Sequence, residues 1–196
     1  MPLNNDDLLN LKNKASKSFG RGEYLRAIEY YTQAVKLKPQ DKELWYNIGL
    51  TYSYLGYREK AIENHKKAIE NYEKALKIDL HYTNAWFSMG VANYDLGNYR
   101  KAVECYEQAI QIDPEDDTTW HNMGMAYGKL ENFQKMLECY KEKVKISPQD
   151  SGYWYELGTA YAKVGNHKKE IECYQKAVEI SPKNNDALNA LKQRKD

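Results

Sequence analysis

The sequence predicts an all-α chain of stacked helical hairpins, on three observations. The four tryptophans, Trp45, Trp86, Trp120 and Trp154, stand 41, 34 and 34 residues apart, and each opens a similar phrase. The clearest phrase runs Trp86-Phe87-Ser88-Met89-Gly90, then Tyr94, Gly97-Asn98-Tyr99, Ala102, Tyr106, Ala109 and Asp113-Pro114. A fixed period of this size marks repeat architectures, whose units bury their apolar faces on one another. Small residues recur at fixed places. Ala15, Gly49, Gly90, Gly124 and Gly158 fall on the first helix of each unit (helix A), and Ala27, Ala61 or Ala68, and Ala102 on the second (helix B). Small side chains at a crossing let two helix axes approach closely. Breakers punctuate the period: Gly56, Gly97-Asn98, Glu131-Asn132 and Gly165-Asn166 to end helix A, and Pro39, Pro114, Pro148 and Pro182 to stop helix B.

In chain order, Asn4 to Asp7 offer an N-cap before the apolar series Leu8, Leu9, Leu11, Ala15, Phe19. Counting back from Pro39 places the first unit at 8–41, with Leu11 where later units hold Trp. The second unit, 42–82, is seven residues longer than the rest. Its surplus is legible, because Ala61-Ile62-Glu63-Asn64-His65-Lys66-Lys67 is followed by Ala68-Ile69-Glu70-Asn71-Tyr72-Glu73-Lys74. Seven residues are close to two helical turns, so the stripe of Ala61, Ile62, Ala68, Ile69, Tyr72, Ala75 and Leu76 drifts by only about 20°. Helix B here is expected to be continuous and roughly 10 Å longer at 1.5 Å per residue. It should overhang helix A and expose some of Ile62, Ile69 or Tyr72. Leu80 replaces the usual proline, and Tyr57-Arg58 replaces the Asn-Tyr of the turn. Units three to five run 83–116, 117–150 and 151–184, and 185–196 begins a capping helix with Ala187, Leu188, Ala190 and Leu191 on one face. No linker interrupts the array, so a single domain over 1–196 is expected.

Bulk properties exclude several function classes. Lys plus Arg number 29 and Asp plus Glu 28 in 196 residues, a net charge of +1 with no pull toward nucleic acid or a membrane surface. Lysines alternate with glutamates on every helix B, so no basic stripe forms. The mean hydropathy of −0.87 suits an array whose every unit is partly solvated. No segment reaches bilayer-spanning length. The opening Met1-Pro2-Leu3-Asn4-Asn5 lacks a basic and then apolar leader, and three unpaired-looking cysteines suit a reducing, cytoplasmic setting.

The phrase of Trp, Gly, Tyr, Ala and Pro at 34-residue spacing resembles the tetratricopeptide repeat. The resemblance implies a right-handed α-solenoid of five helix-turn-helix units plus the C-terminal capping helix. It also implies a non-enzymatic protein-binding scaffold, without cofactor or metal. Cys105, Cys139 and Cys173 recur at the repeat spacing, which separates equivalent positions by about a helix diameter, too far for a disulfide. A packing role is expected for them and for His65. The sequence carries no Gly-rich phosphate loop, His-Glu-x-x-His motif or nucleophile in a recognisable setting. The acidic run Asp113 to Asp117 suits an inter-unit turn and helix start.

In the family, the fifth, sixth and ninth positions of helix A line a concave groove. Here those residues are Lys12, Asn13 and Ser16; Tyr46, Asn47 and Leu50; Phe87, Ser88 and Val91; His121, Asn122 and Met125; Tyr155, Glu156 and Thr159. Tyr54, Tyr94 and Asp95 extend the same surface. The asparagines suit an extended peptide backbone, which needs both donors and acceptors. The aromatics suit apolar anchors. A carboxylate clamp for chaperone C-termini is not expected: Lys12 and Asn47 match it, but Ser16, Asn84 and Ser88 replace the second Asn and the basic pair. The expected partner is a protein or peptide met by a monomer. The alternative is self-assembly, a dimer joined through the long second helix of unit two. Three departures from the small-residue rule cluster late: Met136 and Glu170 at the helix crossing, and Lys143 where Ala34, Ala109 and Ala177 stand. Lys143 and Glu170 are expected to meet as a partly buried pair.

Overall fold

The computed structural model describes residues 5–56 and 61–193, and in them the chain is all-α, built of paired antiparallel helices. Two compact units divide it, Met1–Ile112 and Asp113–Asp196. The first holds three hairpins: α1 (Asn5–Gly20) with α2 (Tyr24–Leu37), α3 (Lys42–Gly56) with α4 (Ala61–Ile78), and α5 (Thr83–Asp95) with α6 (Tyr99–Ile112). The second holds α7 (Asp117–Lys129) with α8 (Phe133–Ile146), α9 (Ser151–Lys163) with α10 (His167–Ile180), and the closing α11 (Asn185–Gln193). Helix α1 already includes Asp6 and Asp7 in its first turn, so they complement its dipole from inside rather than cap it.

One contact explains the glycines of helix A. A Cβ on Gly49, Gly90, Gly124 or Gly158 would lie 2.4–2.6 Å from a ring carbon of Tyr72, Tyr106, Tyr140 or Tyr174. Each helix B tyrosine therefore packs its ring directly against the bare backbone of its partner, and any side chain there must push it off. The tryptophans act at the other end of the hairpin. Trp45, Trp86, Trp120 and Trp154 each donate the indole N–H to the carbonyl six residues back, that of Pro39, Leu80, Pro114 and Pro148, at 2.8–2.9 Å. Leu80 serves as well as proline, since the bond needs only the carbonyl. Four helix starts follow the capping rule: Asp116, Asn132, Asp150 and Asn166 each accept a backbone N–H from the first turn.

The duplicated heptad is helical throughout, within an α4 of 18 residues against 14 for the other second helices. Its surroundings differ from expectation. Gly56 does not end α3 with a positive φ, as Gly97 (φ 77°) and Gly165 (φ 76°) do for their helices; it stays helical and buried. An ideal Cβ on Gly56 would stand 3.1 Å from the His65 imidazole. Gly56 and His65 thus repeat, one heptad outward, the contact of Gly49 and Tyr72. Helix α3 lengthens with α4, so the overhang is largely covered: Tyr72 is fully buried, Ile69 half-buried, and Ile62 alone of the three is well exposed, at 65%. Tyr57 and Arg58, read as a variant turn, lie outside the described residues.

The last two hairpins absorb their large crossing residues differently. Met136 packs its sulfur against the site of Gly128, 3.3 Å from where a Cβ would be. Glu170 is buried and accepts from His167 at 2.9 Å rather than meeting Lys143. The expected Lys143–Glu170 pair does not form, because Glu170 turns back along its own helix to a neighbour three residues away. Helix α11 lays Ala187, Ala190 and Leu191 on Trp154, Tyr155, Tyr174, Ala177 and Val178. Residues 194–196 of the expected cap lie outside the described part.

Candidate functional site

The helix A residues read as groove-lining divide between the two units. In the first, Lys12 is half-buried and its ammonium donates to Asp41 at 2.8 Å. Burial acts to raise the Asp41 carboxyl, but the Lys12 hydrogen bond and charge, with the Leu44 amide and Lys38, outweigh it and hold it below its ordinary value. Lys12 therefore serves the turn between α2 and α3. Asn13 and Ser16 are exposed, and Tyr46, Asn47, Leu50, Phe87, Ser88 and Val91 are half-buried. Tyr46 and Ser88 share a hydrogen bond of 3.4 Å, which joins the equivalent faces of α3 and α5. The Tyr46 ring lies 5.7 Å from Tyr72 and 5.2 Å, edge-on, from Tyr82. Phe87 leans on Tyr106 at 6.1 Å. Tyr54 packs edge-on against Phe19 at 5.1 Å, yet stays 45% exposed. Each of these aromatics is braced by a helix B tyrosine or a neighbouring ring.

In the second unit, the predicted residues gather around a lysine that they were not assigned. Lys143, with a side chain 3% exposed, donates to Glu156 at 2.5 Å and to His121 Nδ1 at 2.9 Å, and stands 3.7 Å over the Tyr153 ring. The His121 Nδ1 also lies 3.1 Å from Glu156. Burial pushes the Glu156 carboxyl up, but His121 and Lys143 win and hold it below its ordinary value. Burial, then the charge of Asp117, drives the Tyr153 phenol up to about 12. Its hydroxyl, with that of Ser147, donates to Asp117. His121 stacks on Tyr140 at 6.1 Å and Tyr155 on Tyr174 at 5.5 Å. Asn122 donates to the Thr118 carbonyl at 2.8 Å and Thr159 to that of Tyr155 at 3.1 Å, while Met125 is half-buried.

Sequence reasoning missed Tyr82 beside Tyr46 in the first unit, and Lys143 and Tyr153 beside His121 and Glu156 in the second. A signal existed for Lys143: Glu156 interrupts the series Asn47, Ser88, Asn122 at the sixth position, just where a lysine enters the preceding helix B. The three cysteines are buried, and burial pushes the Cys105 thiol up to about 12 and that of Cys173 to about 11, so neither is a nucleophile near neutrality. No helix of the described residues is long and apolar enough to cross a membrane.

Comparison with known proteins bears on the whole array. Family descriptions of the tetratricopeptide repeat match residues 83–116, 117–150 and 151–184, and a TPR repeat description matches 19–56 and 56–97. The chain is 34% identical over 86 residues, 44% of its length, to the heat-shock protein cognate (HSC) co-chaperone sgt12 of Aspergillus fumigatus. It spans 23% of that relative. Among solved structures, a MamA chain (41-end) from Desulfovibrio magneticus RS-1 superposes with a TM-score of 0.79 at 22% identity, covering 91% of this chain and 97% of that one. YrrB, described as a TPR protein with an unusual peptide-binding site, superposes with a TM-score of 0.75 at 23% identity, covering 96% and 94%.

Proposed function

Because the chain belongs to the tetratricopeptide repeat family, we propose that this interaction scaffold binds an extended peptide of a partner protein along the helix A face of its hairpins. The observation that carries this reading is the braced polar and aromatic surface itself. Tyr46, Phe87, His121 and Tyr155 are each fixed by a ring of their own hairpin, and Asn47 and Asn122 stand beside them, half-buried. A surface ordered in advance loses less conformational entropy on binding. The Asn122 amide gives one N–H to Thr118 and keeps a second N–H and its carbonyl for a peptide group.

The charge pattern favours a peptide held by its backbone over one held by an acidic terminus. Lys12 is engaged by Asp41, and Lys143 and Glu156 neutralise each other. A chaperone-tail clamp needs uncommitted cations at such places. A non-catalytic role and a cytoplasmic setting belong to the same proposal.

Selection from a random displayed peptide library tests it. Peptides chosen on the wild type should lose at least tenfold in affinity for the Asn47→Ala, Asn122→Ala double variant, while its melting temperature stays within a few degrees of wild type. Equal affinity for both proteins would place the binding surface elsewhere. The self-association reading has one supporting feature, the exposed Ile62 on α4. Light scattering across a concentration series decides it, because a constant monomer mass excludes assembly.

A further inference from the structure

A cleft in the first unit lies between α4, α5 and α6, on the face of α5 opposite to Phe87, Ser88 and Val91. Its volume is about 640 Å³, within the range of sites that hold ligands. Similar clefts recur one repeat away beside α3 and in the second unit beside α9, at about 370 and 410 Å³. Among the positions at which they differ, one on helix A decides what fills the cleft. The eleventh residue of helix A is Tyr52, Asn93, Tyr127 and Tyr161 in the second to fifth hairpins. Wherever it is tyrosine, the lysine just before the crossing position of helix B lies over the ring: Lys67 over Tyr52 at 5.6 Å, Lys135 over Tyr127 at 5.1 Å, Lys169 over Tyr161 at 5.4 Å. In the third hairpin, Asn93 folds back to donate to the Met89 carbonyl at 2.9 Å, and the equivalent lysine, Lys101, lines the cleft with no tyrosine at that place.

We propose that this cleft is a socket for a tyrosine side chain of a partner polypeptide that carries basic residues beside that tyrosine. The walls suit the ring. Ile69, Trp86 and Met89 supply apolar contact, and Lys101 supplies the cation that three other hairpins set over a tyrosine of their own. The flanking preference follows from Glu70, Glu73 and Glu104, which also line the cleft and outnumber Lys66 and Lys101. Acidic walls repel an acidic segment and draw a basic one. Cys105, buried at the edge, adds packing only. The socket is separate from the helix A face, so either can fail without the other.

The test uses the full chain and short capped peptides, followed by amide and indole chemical shifts. Lys-Tyr-Lys should shift the Trp86 indole saturably, whereas Lys-Ala-Lys and Glu-Tyr-Glu should not. Asn93→Tyr supplies the ring from within and should weaken Lys-Tyr-Lys at least tenfold. Lys101→Ala, at an exposed position, should weaken it about twofold to fivefold, the loss of one cation–π contact. Should Asn93→Tyr fail to melt cooperatively, the Lys101→Ala result decides, and an unchanged affinity there overturns the proposal. It is also overturned if Lys-Ala-Lys binds equally well, or if Asn93→Tyr leaves binding intact. Free p-cresol binding as tightly as the peptide would make the cleft a site for small phenols instead. Dimerisation abolished by Asn93→Tyr would make the occupant a second copy of this chain. Either result counts against a partner polypeptide.

Discussion

At the scale of single residues, the departures from the repeat pattern report most. Glu131 holds φ 56° where Gly97 and Gly165 hold 77° and 76°. A side chain in that region costs about 1–2 kcal/mol, partly offset by the greater unfolded-state freedom of glycine. Glu131→Gly should therefore raise stability by about 0.5–1 kcal/mol, read as a higher urea midpoint at unchanged slope; a lower midpoint would mean the Glu131 side chain holds the turn. Lys143 offers a sharper case. Its ammonium is buried against Glu156, whose side chain is about one-third exposed. Removing the anion strands a buried cation, whereas removing the cation leaves a carboxylate that reaches water. Glu156→Gln should cost about 2 kcal/mol, below the 3–5 of a fully buried pair because of that exposure. Lys143→Met should cost less, and the double variant should be close to wild type. Equal, additive losses would show that the pair is not coupled. Acid sensitivity has a defined sign. Asp41 and Glu156 both titrate below their ordinary values, so they bind fewer protons folded than unfolded. The stability they give is full above the ordinary carboxylate range, about 4, and is lost as pH falls through their depressed values. Lys12→Met should flatten the acid limb of the stability profile. The same drop between pH 7 and 3.5 in variant and wild type would mean that Lys12 does not hold Asp41.

At the scale of elements, the long second hairpin shows both what sequence discloses and where it stops. The duplicated heptad and its continuous helix were legible, because helical phase survives a seven-residue insertion. That α3 would lengthen with it was not. Gly56 carries the local signature of a turn, and only the placement of His65 opposite its backbone shows that the crossing is repeated. The same reasoning covers Lys143 and Glu170. Two charges at alanine sites announced an unusual junction, but a side chain reaches several neighbours, and sequence spacing does not choose between Glu156 and Glu170. The tryptophans and helix glycines were legible as a recurring pattern, but the indole bond to the carbonyl six residues back and the tyrosine set against each glycine were not. A deletion tests the hairpin. Without residues 61–67, Gly56 regains the spacing to Ala68 that Gly97 has to Ala102. The shortened chain should fold cooperatively with a proportionate loss of helical circular dichroism, whereas loss of the cooperative transition would mean that the His65 contact is required for folding.

At the scale of the whole molecule, the repeating hairpins are those of a tetratricopeptide repeat interaction scaffold. Side chains are ordered by stacking on their own hairpin, and charged members of the helix A face are neutralised within the fold. What such a surface offers a partner is shape, aromatic faces and amide groups. The most direct measurement is a shift map of the labelled protein titrated with a library-selected peptide. The account predicts that the largest amide changes fall on 46–50 and 121–125, with the Asn47 and Asn122 side-chain amides among them. Changes confined to the second helices of the hairpins, with those amides unmoved, would contradict it.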